Sequence, residues 1–295
     1  MSGRRNLMIA NSRARYAPTD TVFDVTASEE HISHSIFVTG STVIDWGDGE
    51  TTETNSAYNA ATNASTHYTH TYASPGVYTV RISGTYYRFR HGESGGVHIV
   101  SRIRQIGNNL YDAENIFGRC AFLTQIDNGC KFSNVTTGSI KNGFAYSGNN
   151  VEYPDGFVSS SNLTNFNNFN YGGKVRSFWD TLPDGVTDMT NFLGYSQLKN
   201  LNPNFRIPAS CVGLGGAFDW LGALTFDISN MFPEEWRFSA KTISIGGMFR
   251  NAGSITGTAP ADLLWASGNT FSATTHCFFG CTQLTNYADI PADWK

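Results

Sequence analysis

Between Phe117 and Leu284 one short phrase recurs seven times: an aromatic residue, a small or medium residue three positions on, and an aliphatic residue three beyond that. It reads Phe117/Cys120/Leu123, Phe169/Gly172/Val175, Phe192/Tyr195/Leu198, Phe218/Leu221/Leu224, Phe249/Ala252/Ile255 and Phe278/Cys281/Leu284, with a longer copy at Phe144/Ser147/Val151. Successive phenylalanines lie 27, 25, 23, 26, 31 and 29 residues apart, a period that belongs to stacked repeats. One repeat cannot bury its own phenylalanine, so neighbours must cover it on either side and a continuous phenylalanine ladder is expected. Such a stack offers an extended surface in place of a pocket, which points to a binding or structural role.

A three-plus-three spacing drifts off one face of an α-helix but stays on one face of a 3-10 turn. The phenylalanine and the small residue therefore share a tight turn, and the aliphatic residue opens a short strand such as Leu123–Ile126 or Leu284–Tyr287. Proline then marks the next turn, at Pro154, Pro183, Pro208, Pro233, Pro260 and Pro291. Its fixed φ, with Asp or Gly often following, reverses the chain at nearly the same place in each copy.

Three stretches make a resemblance specific: Ala217-Phe218 to Leu224, Cys277-Phe278 to Leu284, and Val186-Thr-Asp-Met189 running through Phe192 to Leu198. They resemble the BspA-like leucine-rich repeats of bacterial surface proteins, over roughly 105–295. A second signature precedes them: Asp45-Trp46-Gly47-Asp48-Gly49, then His70-Thr-Tyr72-Ala-Ser-Pro75-Gly76-Val77-Tyr78-Thr-Val80. A strand ending in an Asp/Gly turn and another launched from a Pro-Gly turn form an antiparallel sandwich pattern. The segment is similar to the polycystic-kidney-disease (PKD) type of immunoglobulin-like domain. The expected fold is mainly β: an attachment arm at 1–18, an immunoglobulin-like β-sandwich at 19–104, and a leucine-rich-repeat-type solenoid of about seven repeats at 105–295, with short strands and 3-10 or short helical turns. The last repeat needs a cover, supplied either by Trp294 folding back or by another subunit.

Charged residues are 15% of the chain against roughly 25% in an ordinary soluble protein. A net charge of −4 argues against general nucleic-acid binding. Arg88, Arg90, Arg102 and Arg104, with Tyr86 and Tyr87, read as one solvated face of two strands at the domain junction. No apolar run approaches a membrane span, and Leu7–Ala10 is too short for a secretory core. Surface-type modules without an export signal fit a bacteriophage structural protein, which is assembled in the cytoplasm and released by lysis. Other virion or surface-assembly subunits are the expected partners of the arm, a host-surface glycan or protein the expected target of the repeats, and a homo-oligomer or array the expected assembly. A bacterial cell-surface adhesin or filament protein is the alternative, and a glycan-active enzyme the third reading.

No catalytic constellation, cofactor motif or metal motif emerges. The five cysteines, Cys120, Cys130, Cys211, Cys277 and Cys281, form no CxxC pair and read as small buried hydrophobes. His67 and His70 fall on opposite faces of a strand. Asp45 and Asp48 offer oxygen to calcium, although turn stabilisation explains them with fewer assumptions. Gly213–Gly216 fits neither Walker nor dinucleotide spacing. The sequons at Asn63, Asn134 and Asn162 are those expected by chance in a chain so rich in Asn and Thr. The binding residues are left unassigned by the sequence.

Overall fold

The computed structural model describes residues 16–57, 66–91, 98–108, 110–159 and 161–295. The first fifteen residues of the expected arm, and Asn63, lie outside them. The protein is mainly β, and among the described residues the longest helix is the five-residue 3-10 segment Glu234–Phe238. No helix among them is long and apolar enough to cross a membrane.

The N-terminal part is a sheet of β1 (Thr21–Ala27), β2 (Ser33–Asp45), β3 (Thr51–Ser56), β4 (Thr66–Thr71), β5 (Gly76–Arg90), β6 (Val100–Gln105) and β7 (Gln125–Ile126). The order is β3-β2-β5-β1-β6-β7, with β4 also on β2. All pairs are antiparallel except β6–β7, which is parallel. Inward residues such as Ile36, Val38, Val80 and Ile82 are buried, as period-two alternation requires. The long strands β2 and β5 cross tightly at two glycines with positive φ. A Cβ on Gly40 would lie 2.4 Å from the Thr85 carbonyl oxygen, and one on Gly84 2.6 Å from that of Ser41.

The strands that follow are β8 (Val151–Glu152), β9 (Val175–Phe178), β10 (Asn200–Leu201), β11 (Phe226–Asp227), β12 (Thr242–Ser244), β13 (Ile255–Thr256) and β14 (Thr270–Ala273). They pair in parallel as β8-β9-β10, β11-β13 and β12-β14. Isolated parallel bridges form a second row, joining Ser139, Asn165, Asp188, Gly213 and Ser244 in succession. In the last copy the expected strand end is instead the 3-10 helix Tyr287–Asp289.

Each copy carries two left-handed backbone positions four residues apart. The first is Asn115, Asn142, Asn168, Asn191, Gly216, Gly247 and His276; the second is Arg119, Tyr146, Gly172, Tyr195, Trp220, Asn251 and Gly280. Amides at the second position donate to the following turn: Arg119 to the Ala145 carbonyl (2.8 Å), Tyr146 to Tyr171 (2.9 Å), Gly172 to Gly194 (2.9 Å), Tyr195 to Asp219 (2.8 Å), Trp220 to Arg250 (2.7 Å) and Asn251 to Phe279 (2.8 Å). These bonds set the true register and correct the third and fourth copies. There phenylalanine stands one place early, and Asn170 and Leu193 occupy the position of Phe144 and Phe218, as the amide bonds Phe144 to Phe169, Asn170 to Phe192 and Leu193 to Ala217 require. The buried small residues are then Gly173 and Ser196, not Gly172 and Tyr195.

Phe169 and Phe192 still reach the core from the shifted place. Rings run from Phe117 through Phe144, Phe169, Phe192, Phe218 and Phe249 to Phe278 with centroids 5.4–6.2 Å apart. At one end Phe117 meets Phe23 and Phe89 of the sheet. At the other, Trp294 is buried and its ring lies parallel to that of Phe278 at 6.5 Å, so Trp294 folds back over the final layer. Two of the small residues also join turns: the Ser147 hydroxyl donates to the Phe117 carbonyl, and the Cys281 thiol to that of Phe249.

Candidate functional site: an aromatic stripe on the repeat turns

The second left-handed position is where the turn favours glycine or asparagine, because a Cβ there crowds the following carbonyl and costs roughly 1–2 kcal/mol. Gly172, Asn251 and Gly280 follow that rule, but Arg119, Tyr146, Tyr195 and Trp220 do not, with φ of 59°, 55°, 57° and 57°; the last three are aromatic. These three side chains are also among the most exposed large apolar groups of the molecule, at 52%, 42% and 54%. Tyr171, beside Gly172, fills the gap between them. Ring centroids lie 5.7 Å apart from Tyr146 to Tyr171, 5.3 Å from Tyr171 to Tyr195, and 5.9 Å from Tyr195 to Trp220. A Cβ on Gly172 would come within 2.8 Å of the Tyr146 ring, so the glycine in the middle makes room for the row.

Arginines bracket the stripe. The Arg119 guanidinium sits over the Tyr146 ring, 5.6 Å from its centroid, in cation–π geometry. Arg250 forks onto the Asp219 carboxylate and donates to the Tyr195 hydroxyl at 3.2 Å. The result is a continuous aromatic surface with polar tips and fixed charges at its sides. Such a surface can stack against, and hydrogen-bond to, a ring or planar group brought against it.

Residues singled out in the sequence fall elsewhere. Asp45 accepts from the Gly47 amide (3.0 Å) and Asp48 from the Glu50 amide (3.1 Å). The other Asp48 oxygen lies 2.7 Å from His70 Nε2, so both aspartates hold their turn. His70 is buried against the Trp46 ring and His67 lies outward on Phe37, on opposite faces of β4. All five cysteines are buried and free, and burial pushes the thiols of Cys130, Cys211 and Cys281 up to about 12. Among the described residues no group of three or more His, Cys, Asp or Glu is arranged to hold a metal ion. Asn162 bonds the Val135 backbone with both ends of its amide (2.8 and 2.7 Å).

The solvated basic strip is overturned. Arg88 and Arg90 are buried; Arg88 pairs with Asp112 of the first repeat and Arg90 lies over Phe37. Arg102 grips Asp127 through two bonds (2.6 and 2.8 Å), and Arg104 bonds Asp24 at 2.7 Å. These arginines fasten the sheet internally and onto the repeats. Beside them three imidazoles cluster in the core: His34 and His91 touch through Nε2 atoms 3.2 Å apart, and His98 packs on both rings. Burial lowers His34 to about 3 and His98 to about 4, and drives His91 down as well.

Neither a family model, nor a curated protein, nor a solved structure matches this chain.

Proposed function

We propose that the chain is a non-enzymatic phage virion structural protein, a decoration, fibre or tail adhesin, whose repeats present the aromatic stripe to a host-surface protein or glycan. The observation that carries the recognition role is the placing of Tyr146, Tyr195 and Trp220, exposed and in one row, at left-handed backbone positions where three other copies use Gly or Asn and the remaining one Arg119. Strain of this kind persists where the side chain is needed, and exposed Tyr, Trp and Arg are the side chains that dominate binding surfaces. A weak single contact becomes firm when many copies engage together, which suits a homo-oligomer or surface array.

The same reading treats the sheet as a PKD-type immunoglobulin-like connector and the repeats as a leucine-rich-repeat-type solenoid. The Trp46–His70 stack, the Tyr72 hydroxyl on the Trp46 carbonyl, the parallel inter-turn bridges and the unbroken ring column support it. Assignment to a virion rests on the resemblance of both modules to parts of bacterial surface and phage structural proteins; a bacterial surface adhesin is the alternative.

The enzymatic reading draws on Glu152 and Asp155, which line one open groove. Both are exposed, whereas a glycosidase acid relies on burial to hold its proton. Release of reducing ends from oligosaccharides incubated with the chain would overturn the non-enzymatic part. Immunogold labelling with antibody to the repeats tests the rest: regular labelling of purified particles is expected, and labelling confined to cell envelopes would leave the adhesin reading instead.

A further inference from the structure

A groove of about 680 Å³ runs beside β7 and β8, lined in part by Gln125, Asn128, Asn150, Glu152, Asp155 and Trp179. Its size falls in the range of small-ligand sites, roughly 300–1,000 Å³, but its walls are mainly amides, hydroxyls and carboxylates in place of the usual apolar lining. We propose that this groove binds a neutral saccharide, with Trp179 as the stacking platform.

The ring stands on a fixed backbone. Trp179 is 42% exposed, yet its carbonyl accepts from the Asn202 amide. The next residue, Asp180, is buried and accepts from the backbone amides of Gly156 (2.8 Å), Val158 and Ser159. That carboxylate ties the Trp179 segment to the proline-marked turn bearing Asp155. Asn150, also on the lining, has a left-handed backbone (φ 65°) and its amide N–H donates to the Lys174 carbonyl at 2.9 Å. The Trp179 and Asn150 backbones are therefore held by bonds that do not involve their own side chains.

Four polar side chains of the lining are unspent. Elsewhere in the repeats asparagine side chains stitch turns together: Asn162 to Val135, Asn202 to Trp179, Asn269 to Trp236 and Asn286 to Ala259. The side chains of Asn128, Asn150, Glu152 and Asp155, by contrast, make no hydrogen bond among the described residues. An indole face beside unused amides and carboxylates matches a ring that has one C–H face and a rim of hydroxyls. The carboxylates accept hydroxyl protons, and the amides both donate and accept. Among the described residues the lining carries two carboxylates and no Lys or Arg, so sulfated, phosphorylated and sialylated sugars meet repulsion with no compensating cation. The site is separate from the aromatic stripe and stands whether or not the stripe recognises a partner.

The test uses the full chain on an array of neutral oligosaccharides (glucose, mannose and N-acetylglucosamine oligomers) with sulfated and sialylated counterparts, followed by calorimetric titration of the neutral sugars. Native protein is expected to bind at least one neutral series, about tenfold or more in preference to its anionic counterpart. Trp179→Ala is expected to weaken that binding by about tenfold, a loss on the scale of a stacking anchor. Asn150→Gly keeps the left-handed backbone while removing the amide, and is expected to weaken binding about threefold, the scale of one hydrogen bond. Val77→Thr, at an exposed position of β5 outside both the groove and the stripe, leaves the titration unchanged. Circular dichroism identifies any variant that misfolds. Absence of binding to every neutral series, a preference for anionic sugars, or full affinity in folded Trp179→Ala would each overturn the proposal.

Discussion

The sheet and the repeats solve the same burial problem in opposite ways. β2 and β5 are 13 and 15 residues long and satisfy each other through a long antiparallel ladder. β7, β8, β10, β11 and β13 are two residues each, too short to hold a chain by pairing alone. The repeats rely instead on the column of phenylalanine rings and on turn amides aimed at the next copy. A strand in the sheet has its partners within one domain, whereas a repeat is stable only through its neighbours. The two meet without a seam: β6 pairs with β7, Arg88 pairs with Asp112, and Phe23 and Phe89 start the ring column. The sheet therefore caps the near end of the stack, as Trp294 caps the far end.

That contrast breaks most severely at the ring column. Phe218 is fully buried and its ring touches Phe192, Phe205 and Phe249. Phe218→Ala is expected to cost about 3–5 kcal/mol. Hydrogen exchange should show β11 and β13 losing protection while β2 and β5 keep theirs; equal loss in both would mean a single cooperative unit. Next comes the joint itself. Asp112→Ala leaves Arg88 buried without its main carboxylate, an expected loss of about 3 kcal/mol, and here protection should fall on both sides of the joint.

The imidazole cluster gives the joint a pH dependence. His34, His91 and His98 are held below their ordinary value of 6.5, so the unfolded chain binds more protons than the folded one as pH drops. The contribution of His34 and His98 is fully present above about pH 6.5 and is lost progressively toward their folded values near 3 and 4, by roughly 1 kcal/mol per pH unit for each, and His91 acts in the same direction. Thermal melts from pH 7 to pH 5 should show a falling midpoint, and His34→Gln should flatten the slope. The smallest effect is expected on the stripe. Trp220→Gly removes ring contacts but relieves a left-handed tryptophan, so its stability change should stay within about 1 kcal/mol, which equilibrium denaturation can measure. A loss several times larger would make the stripe a structural part.

Part of the repeat region was legible because the phenylalanine spacing marks one tight turn per copy, although that turn holds two left-handed residues in place of the expected 3-10 helix. The phenylalanine column follows from that spacing and the reversals from the prolines, whereas the need to cover the last repeat left two covers open, of which Trp294 is the one found. The register of the third and fourth copies does not follow from the spacing, since Phe169 and Phe192 reach the same core one position early while Asn170 donates to the Phe144 carbonyl and the Tyr153 hydroxyl. The stripe was hidden for a related reason. An aromatic residue inside a repeat reads as core, and Tyr195 fell on the position expected for the small residue. A signal was present: asparagine at Asn115, Asn142, Asn168 and Asn191 marks one left-handed position per copy, and counting four further on lands on Arg119, Tyr146, Gly172 and Tyr195. Arg88 was misplaced on the surface because its partner, Asp112, lies 24 residues away, across a boundary that spacing alone does not bridge.

The central claim is that the stripe is the recognition surface, and the direct measurement is saturation binding of fluorescently labelled chain to a panel of intact bacterial cells. The native chain is compared with Tyr146→Gly/Tyr195→Gly/Trp220→Gly, a variant whose glycines suit the left-handed backbone and whose circular dichroism should match. The account predicts saturable binding by the native chain and a loss of about tenfold or more in the variant. Equal binding by both, or no saturable binding by the native chain to any of the cells, would contradict it.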